Sequence, residues 1–245
     1  MGISHPFAVK LIEHVTNHGA GGSALMLGRQ HLKLRSRPKY RGRVQKALDT
    51  LGSGLAFDDL SQSDGFADTF FKKLGFETVQ SMDMSSYEGA EISQNLNLPV
   101  SKDLHGKFDL IIDGGTTEHV FDVRCCFENI FNMLVPGGCA VGCVPANNFF
   151  THGFYQFGPD LIYAFWRDGC HCEVLECSAL SMVAPYPVIT LKPPGTYKRS
   201  IAQNSLPAGP VLLYYGVRKS EGARAFLGGV QSYYDAIWSS SQAGK

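Results

Sequence analysis

The stretch F-D-L-I-I-D-G-G-T-T-E-H-V-F-D at residues 108–122, followed after a helical run by L-V-P-G-G-C-A-V-G-C-V at 134–144, decides the fold. It predicts a buried strand at Phe108–Ile112, a turn, an amphipathic helix, a Pro-Gly-Gly turn and a second buried strand at Cys139–Val144. Unbroken apolar strands joined through a helix are typical of parallel strands covered on both faces. The stretch therefore predicts an α/β protein with helices on both sides of a mostly parallel sheet.

The other elements follow from apolar periodicity and from turn residues. Helices are predicted at about residues 5–18, 38–51, 63–74 and 159–166, and further strands at 23–27, 76–82, 91–96, 171–180 and 210–217. Prolines concentrated near the end of the chain predict a surface excursion at about 185–210. A chain of 245 residues with this composition is expected to form a single domain, residues 1–245.

Charge and hydropathy exclude several functions. Lys plus Arg and Asp plus Glu both number 22, so no global positive field attracts bulk nucleic acid or an anionic membrane. The basic run at 29–43 is most simply a solvated face, although it leaves an anionic substrate open. Neither a signal peptide nor an apolar run long enough to span a bilayer is found. We expect a cytoplasmic protein that binds no membrane.

The seven cysteines are more typical of packed apolar residues than of catalytic or metal-binding groups. Several fall within predicted buried elements, where a thiol behaves as a small apolar group, and reduced thiols are expected. Cys170-His171-Cys172 with Cys177 superficially resembles a metal cluster. Alternation along one strand would point neighbouring side chains to opposite faces, and the Cys-x-x-Cys spacing is absent. No metal site is predicted.

The motifs at 108–144 resemble those of the class I S-adenosylmethionine-dependent methyltransferases, whose fourth strand commonly reads F-D followed by two apolar residues and whose next helix commonly ends in L-x-P-G-G. T-T-E-H-V and H-G-F-Y-Q-F further resemble an uncharacterised bacterial branch associated with glycan and other secondary biosynthesis. The resemblance runs from about Leu25 to Val217. It implies a doubly wound, seven-stranded, Rossmann-like sheet with an antiparallel last strand, and S-adenosylmethionine as the cofactor.

Residues at the strand ends would then bind this cofactor, because ligands of such sheets lie beyond the carboxyl ends of the strands. The Asp83 carboxylate would accept hydrogen bonds from both ribose hydroxyls of the cofactor. The alternative is that Asp83 only forms a turn. Asn95-Leu96 resembles the polar-apolar pair at the adenine edge, and an ordinary polar loop is an equal alternative. The other strand-end residues expected to bind the cofactor are Gly28, Asp113 and Gly114.

The first glycine loop departs from the family pattern. Met26 stands where an acid is usual, and Gln30 and Leu32 replace the second and third glycines. Arg29 or Gln30 could hold the carboxylate of the cofactor, or the site could have decayed. Because Asp83 and the other motifs persist, we favour a modified but working site.

Two histidines are the predicted catalytic residues. His119 is expected at the start of the helix after the fourth strand, and His152 in an aromatic loop after the fifth. A lone histidine is more often structural, but these two should share one edge of the sheet. His152 is the preferred general base, since Asn147, Tyr155 and Gln156 around it would bind a small polar substrate.

The resemblance and these residues predict methyl transfer to a hydroxyl, or with less support a nitrogen, of a small molecule or glycan. The main alternative is a noncatalytic cofactor-binding or scaffold protein that has kept the fold. An oxidoreductase is disfavoured because no Gly-x-Gly-x-x-Gly follows the first strand. Acceptor and oligomeric state cannot be read from the sequence, and a homodimer stays open.

Overall fold

The computed structural model describes residues 2–183, 185–193, 206–231, 234, 237 and 238. The strands within these residues are β1 (Gly2–Ser4), β2 (Ser23–Leu27), β3 (His31–Lys33), β4 (Thr78–Asp83), β5 (Ile92–Ser93), β6 (Phe108–Asp113), β7 (Leu134–Asn147), β8 (Glu173–Ser181), β9 (Val188–Thr190) and β10 (Val211–Arg218). The helices are α1 (His5–His18), α2 (Pro38–Leu51), α3 (Asp68–Lys73), α4 (Val123–Met133) and α5, which begins as Pro159–Ile162 and continues as a π-helix over Tyr163–Gly169.

One eight-stranded sheet organises the molecule, in the order β5-β4-β2-β6-β7-β10-β8-β9. Its first five strands run parallel, and β10 pairs antiparallel with both β7 and β8. This arrangement confirms the predicted doubly wound, mostly parallel sheet with an antiparallel last strand. Strand β9 is an addition, which pairs antiparallel with β8 inside the segment that the sequence had predicted as a surface excursion. A separate parallel pair joins β1 to β3.

The central strands are apolar on both faces, which is why they are buried between two layers of helices. Leu25, Leu27 and Ile111 belong to a core cluster shared with α4 and α5. The alternate residues Met26 and Ile112 belong to a second cluster shared with α1, α2 and α3. The alternation of strand side chains thus divides one sheet between two cores and leaves the strand ends to carry polar groups.

The predicted helix at 63–74 is wrong in its first half, since only Asp68–Lys73 is helical. Gly65 has φ +78°, and Asp64 Oδ1 accepts the Phe66 N–H at 3.0 Å, so residues 64–66 form a turn. Phe66 then stacks on His31, with ring centroids 4.2 Å apart. This contact fixes the segment that follows β2.

The predicted Pro-Gly-Gly turn lies inside β7 as a bulge, because the register of β7 against β6 shifts between Leu134, opposite Phe108, and Cys139, opposite Leu110. The Gly137 N–H donates to the Lys219 carbonyl at 2.7 Å, and the Lys219 N–H donates to the Gly138 carbonyl at 2.8 Å. Pairing with the chain beyond β10 therefore holds this bulge against the sheet, and Gly137 supplies its left-handed residue, with φ +83°. The predicted strand at 91–96 is shorter in the structure, at Ile92–Ser93.

All seven cysteines are buried, free thiols. Burial raises the pKa of Cys177 and of Cys170 to about 12 and that of Cys172 to about 11. These thiols are therefore neutral and pack as apolar groups. In the part of the chain that the structure describes, no helix has the length and apolarity needed to cross a bilayer.

Candidate active site

The carboxyl ends of β2, β4 and β6 meet at one edge of the sheet. Leu27, the last residue of β2, is in register with Met82 and with Asp113. Gly28 follows with φ +70°, and its N–H donates to the Met82 carbonyl at 2.6 Å. A Cβ on Gly28 would lie 3.2 Å from both Gln30 Nε2 and Thr116 Oγ1. The chain needs glycine here, because the backbone is left-handed and its surroundings are tight.

Asp83 ends β4 beside Gly28, as the sequence predicts. Its Oδ1 accepts the Met84 N–H at 2.6 Å. Its Oδ2 lies 3.9 Å from the position that a Cβ on Gly28 would occupy, and no described residue donates a hydrogen bond to it. This half-buried carboxylate therefore has one oxygen available to a ligand. Beside that oxygen lies Gly28, which has no side chain.

Asp113 is buried, and its carboxylate shapes the loop after β6. Oδ1 accepts the N–H groups of Gly115, Thr116 and Thr117 at 3.2, 2.8 and 3.3 Å, while Oδ2 accepts the Thr117 hydroxyl at 2.6 Å. Burial raises the pKa of this carboxyl, against the effect of these hydrogen bonds. Asp113 therefore positions the loop, and its predicted part in binding the cofactor stays a prediction.

Gln30 packs between the loop after β2 and the loop after β6. Its side chain packs on Gly114, where an added Cβ would lie 2.8 Å from Gln30 Cδ. Its Nε2 donates to the Leu27 carbonyl and lies 3.4 Å from Thr116 Oγ1. Its Oε1 is buried without a partner among the described residues. Gln30 thus closes the loop after β2 against the loop after β6, and Gly114 is the surface that it covers.

Arg29 points toward acidic side chains. Its Nη2 lies 3.4 Å from both Asp64 and Asp68, and its Nη1 donates to the Glu88 carbonyl at 3.1 Å. The guanidinium also stacks over Phe66, at 4.2 Å from the ring centroid. Two carboxylates thus lie near this cation, while its Nε is buried without a hydrogen-bond partner among the described residues. Its predicted contact with the cofactor's carboxylate stays a prediction.

Asn95 and Leu96 form a loop fastened to the start of α4. Asn95 Oδ1 accepts the Asn97 N–H at 3.0 Å, and Asn97 Oδ1 accepts the Asp122 N–H at 2.9 Å. Leu96 is buried in the core shared with α4. The side-chain amide of Asn95 donates no hydrogen bond to a described residue and is half-buried. Its predicted contact with adenine stays a prediction.

The structure brings together His119 and His152, with ring centroids 4.9 Å apart. His119 ends a short 3₁₀ turn, Thr117–His119, which comes before α4. Beneath both rings lies Glu118, whose Oε1 is 3.8 Å from His119 Nε2 and 3.5 Å from His152 Nε2. The two predicted catalytic histidines therefore share a carboxylate that sequence reasoning overlooked. The available signal was the adjacency of Glu118 and His119 in T-T-E-H-V.

Glu118 is fully buried, and neither of its carboxyl oxygens has a hydrogen-bond partner among the described residues. Burial, and then the charge of Asp113, raises the pKa of Glu118 to about 8. Burial, and then the charge of His152, lowers the pKa of His119. The cluster thus combines a carboxyl that resists ionisation with an imidazole that favours its neutral form.

The predicted substrate residues stabilise the loop that carries His152. The Tyr155 hydroxyl donates to the Phe121 carbonyl at 2.7 Å, and Gln156 Oε1 accepts the Phe149 N–H at 2.9 Å. Asn147 is exposed at the end of β7. Tyr155 and Gln156 therefore position this loop, and contact of all three residues with a substrate stays a prediction.

A cavity of about 380 Å³ lies at the opposite edge of the sheet, where the parallel strands begin. His14 and Arg218 are among its lining residues. The bare Gly28 backbone, the open oxygen of Asp83 and the unpartnered Glu118 all lie at the carboxyl edge instead. We place the candidate site by this chemistry and not by cavity size.

No protein-family profile matches the chain, and no curated protein matches it. Among solved structures it is similar to the Burkholderia thailandensis 1,6-didemethyltoxoflavin-N1-methyltransferase with bound S-adenosylhomocysteine (13% identity, 89% of this chain and 78% of that one, TM-score 0.39). It is also similar to a Thermotoga maritima S-adenosylmethionine-dependent methyltransferase (14%, 88% and 91%, 0.40) and to the cyclase SpnF (13%, 88% and 82%, 0.45). Likeness of this degree carries no conclusion about reaction or substrate.

Proposed function

We propose that the protein is an S-adenosylmethionine-dependent methyltransferase that acts on a hydroxyl of a small molecule or glycan. A nitrogen acceptor is the alternative with less support. The observation that carries the proposal is the pairing of Asp83 with Gly28. A carboxylate with one open oxygen ends one parallel strand beside a left-handed glycine that ends the next. This pairing suits a nucleoside, because the carboxylate accepts ribose hydroxyls and the glycine lets the ligand approach the backbone.

The fit is better at the nucleoside end than at the methionine end. Asp83 would hold the ribose, and the amide of Asn95 would face the base. Arg29 lies near two carboxylates and Gln30 is packed against Gly114, so neither is assigned to the methionine end. When bound, S-adenosylmethionine supplies an electrophilic methyl group on a positively charged sulfur.

Methyl transfer requires two things of the chain: alignment of the acceptor with the methyl group, and removal of the acceptor's proton. An acceptor oxygen held at this edge would attack the methyl group that the bound cofactor supplies, so the chain has to align that oxygen and let its proton leave. Alignment of two reactants supplies about 7–11 kcal/mol of barrier reduction. Glu118, His119 and His152 lie at the same edge as Asp83, so we assign departure of the acceptor's proton to this cluster.

The noncatalytic alternative keeps one specific observation in its favour. Gln30 closes the loop where other members of the fold have glycine, and this could leave room for a nucleoside but not for a reactive methionine end. Such a scaffold would bind S-adenosylhomocysteine or adenosine and would transfer no methyl group.

The experiment that tests the proposal measures binding and turnover together. Calorimetric titration with S-adenosylmethionine, S-adenosylhomocysteine and NAD should show binding of the first two only. Methyl-labelled S-adenosylmethionine should then be incubated with small hydroxyl and amine compounds and glycosides, and labelled products identified by mass spectrometry. Binding without product from any acceptor would favour the scaffold. Binding of NAD alone would refute the proposal.

A further inference from the structure

Three side chains from two separate loops converge on one point at the carboxyl edge. Glu118 and His119 belong to the 3₁₀ turn after β6, and His152 belongs to the loop after β7. One ligand atom from each lies within 4.8 Å of the others. We propose that Glu118, His119 and His152 bind one divalent transition-metal ion.

The strongest reason is the state of Glu118. Its side chain is fully buried, yet both carboxyl oxygens and the neighbouring His152 Nε2 lack hydrogen-bond partners among the described residues. Buried polar atoms are nearly always satisfied, and an unsatisfied group calls for an explanation such as an ion. A cation between Glu118 and the two imidazoles satisfies all three atoms at once.

The geometry suits ligands around a small ion. Bonds of about 2.0–2.2 Å in a tetrahedral arrangement place two ligand atoms about 3.4 Å apart. Glu118 Oε1 is 3.5 Å from His152 Nε2 and 3.8 Å from His119 Nε2. The side chains of His119 and His152 are 46% and 35% exposed, so both imidazoles have room to turn the short remaining distance.

The fold holds the ligands in place from both sides. Gly153, with φ +74°, packs so closely on Glu118 that an added Cβ would lie 2.8 Å from the Glu118 carbonyl oxygen. The Phe154 N–H donates to that same oxygen at 2.7 Å. The loop that carries His152 is therefore docked directly on the turn that carries Glu118 and His119.

Two imidazoles and one carboxylate indicate the kind of metal. Imidazole suits Zn, Cu, Fe and Ni, whereas Mg²⁺ and Ca²⁺ prefer oxygen ligands. Three protein ligands leave at least one coordination position open, as in catalytic zinc sites. If the proposed methyl transfer is correct, an acceptor hydroxyl could occupy that position. Its pKa would fall, its proton would pass to solvent, and the histidines would act as ligands and not as a base.

The test uses Zn²⁺ and Co²⁺ with the 245-residue chain after chelation and dialysis. Calorimetry should give one Zn²⁺ per chain, and Co²⁺ should give the visible absorption of a low-symmetry site. Glu118→Gln and His152→Ala should each weaken Zn²⁺ binding at least 100-fold. The matched control is His105→Ala, which removes an exposed histidine just before β6, whereas the cluster follows the other end of that strand. It should leave Zn²⁺ affinity unchanged.

The outcomes separate this proposal from the proposed function. Absence of stoichiometric Zn²⁺ binding, or binding that survives Glu118→Gln, would overturn the metal site. If Glu118→Gln does not fold, His119→Ala changes an exposed ligand and applies the same test. S-adenosylhomocysteine affinity is measured on the same samples. If no sample binds S-adenosylhomocysteine but the unsubstituted protein binds Zn²⁺, the proposed methyltransferase function is refuted and the metal site is supported.

Discussion

Replacement of Asp83 by alanine tests the nucleoside site most specifically. One oxygen of this carboxylate is already used by the Met84 N–H, and the other is open beside Gly28. Hydrogen bonds to a charged group contribute about 1.5–3 kcal/mol. Asp83→Ala should therefore weaken S-adenosylhomocysteine binding by about 10- to 150-fold.

The assay compares two nucleosides so that a ribose contact is distinguished from a general defect. Calorimetry with adenosine and with 2′,3′-dideoxyadenosine should show a preference for adenosine in the parent protein, and Asp83→Ala should remove that preference. Asp103→Ala, which removes an exposed carboxylate before β6, is the matched control. Equal losses for both nucleosides, or unchanged affinity in a folded Asp83→Ala protein, would refute the assignment of Asp83 to the ribose.

Three further predictions concern the same architecture. Gly28→Ala should lower the free energy of unfolding by about 1–2 kcal/mol in denaturant titrations, because φ is +70° there; an unchanged midpoint would contradict the tight contact. Arg29→Ala should lower stability by about 1 kcal/mol and change affinities for S-adenosylmethionine and adenosine by the same factor; a selective loss for S-adenosylmethionine would show that the guanidinium binds its carboxylate. Burial, and then the charges of His18 and Arg218, lowers the pKa of His14 from 6.5 to about 4. Its neutral form stabilises the fold above pH 6.5 and that stability is lost as pH falls toward 4, so the parent should lose about 2 kcal/mol between pH 7 and 5 relative to His14→Gln. Parallel pH profiles for the two proteins would exclude this role.

The pattern of apolar residues was enough to predict the parallel strands and their helices, because each element carries its own apolar run or periodicity. Strand Ser23–Leu27 and helix Pro38–Leu51 have the predicted bounds, since a glycine follows each at the turn. The failures arose where long-range pairing overrides local turn propensity. Lys219 pairs with Gly137 and Gly138 and so continues β7 through the Pro-Gly-Gly bulge, and this partner lies far from them in the sequence.

For the candidate site, the sequence predicted which strand ends carry the polar residues but not the contacts that those residues make. Strand order placed Asp83 and both histidines at one edge, because the carboxyl ends of parallel strands converge there. The sequence could not show that the Asp113 carboxylate accepts hydrogen bonds from its own loop, or that Arg29 lies near Asp64 and Asp68. Those contacts depend on side-chain directions fixed only after the sheet has packed. Glu118 was missed because its burial, and its packing against Gly153 from another loop, arise only in the folded chain.

A crystal structure of the protein with S-adenosylhomocysteine tests the central claim most directly. We predict the ribose hydroxyls at Asp83 Oδ2, the nucleoside against the bare backbone of Gly28, and the sulfur on the side of Glu118, His119 and His152. A ligand bound instead in the cavity lined by His14 and Arg218, or a ribose without contact to Asp83, would contradict the account.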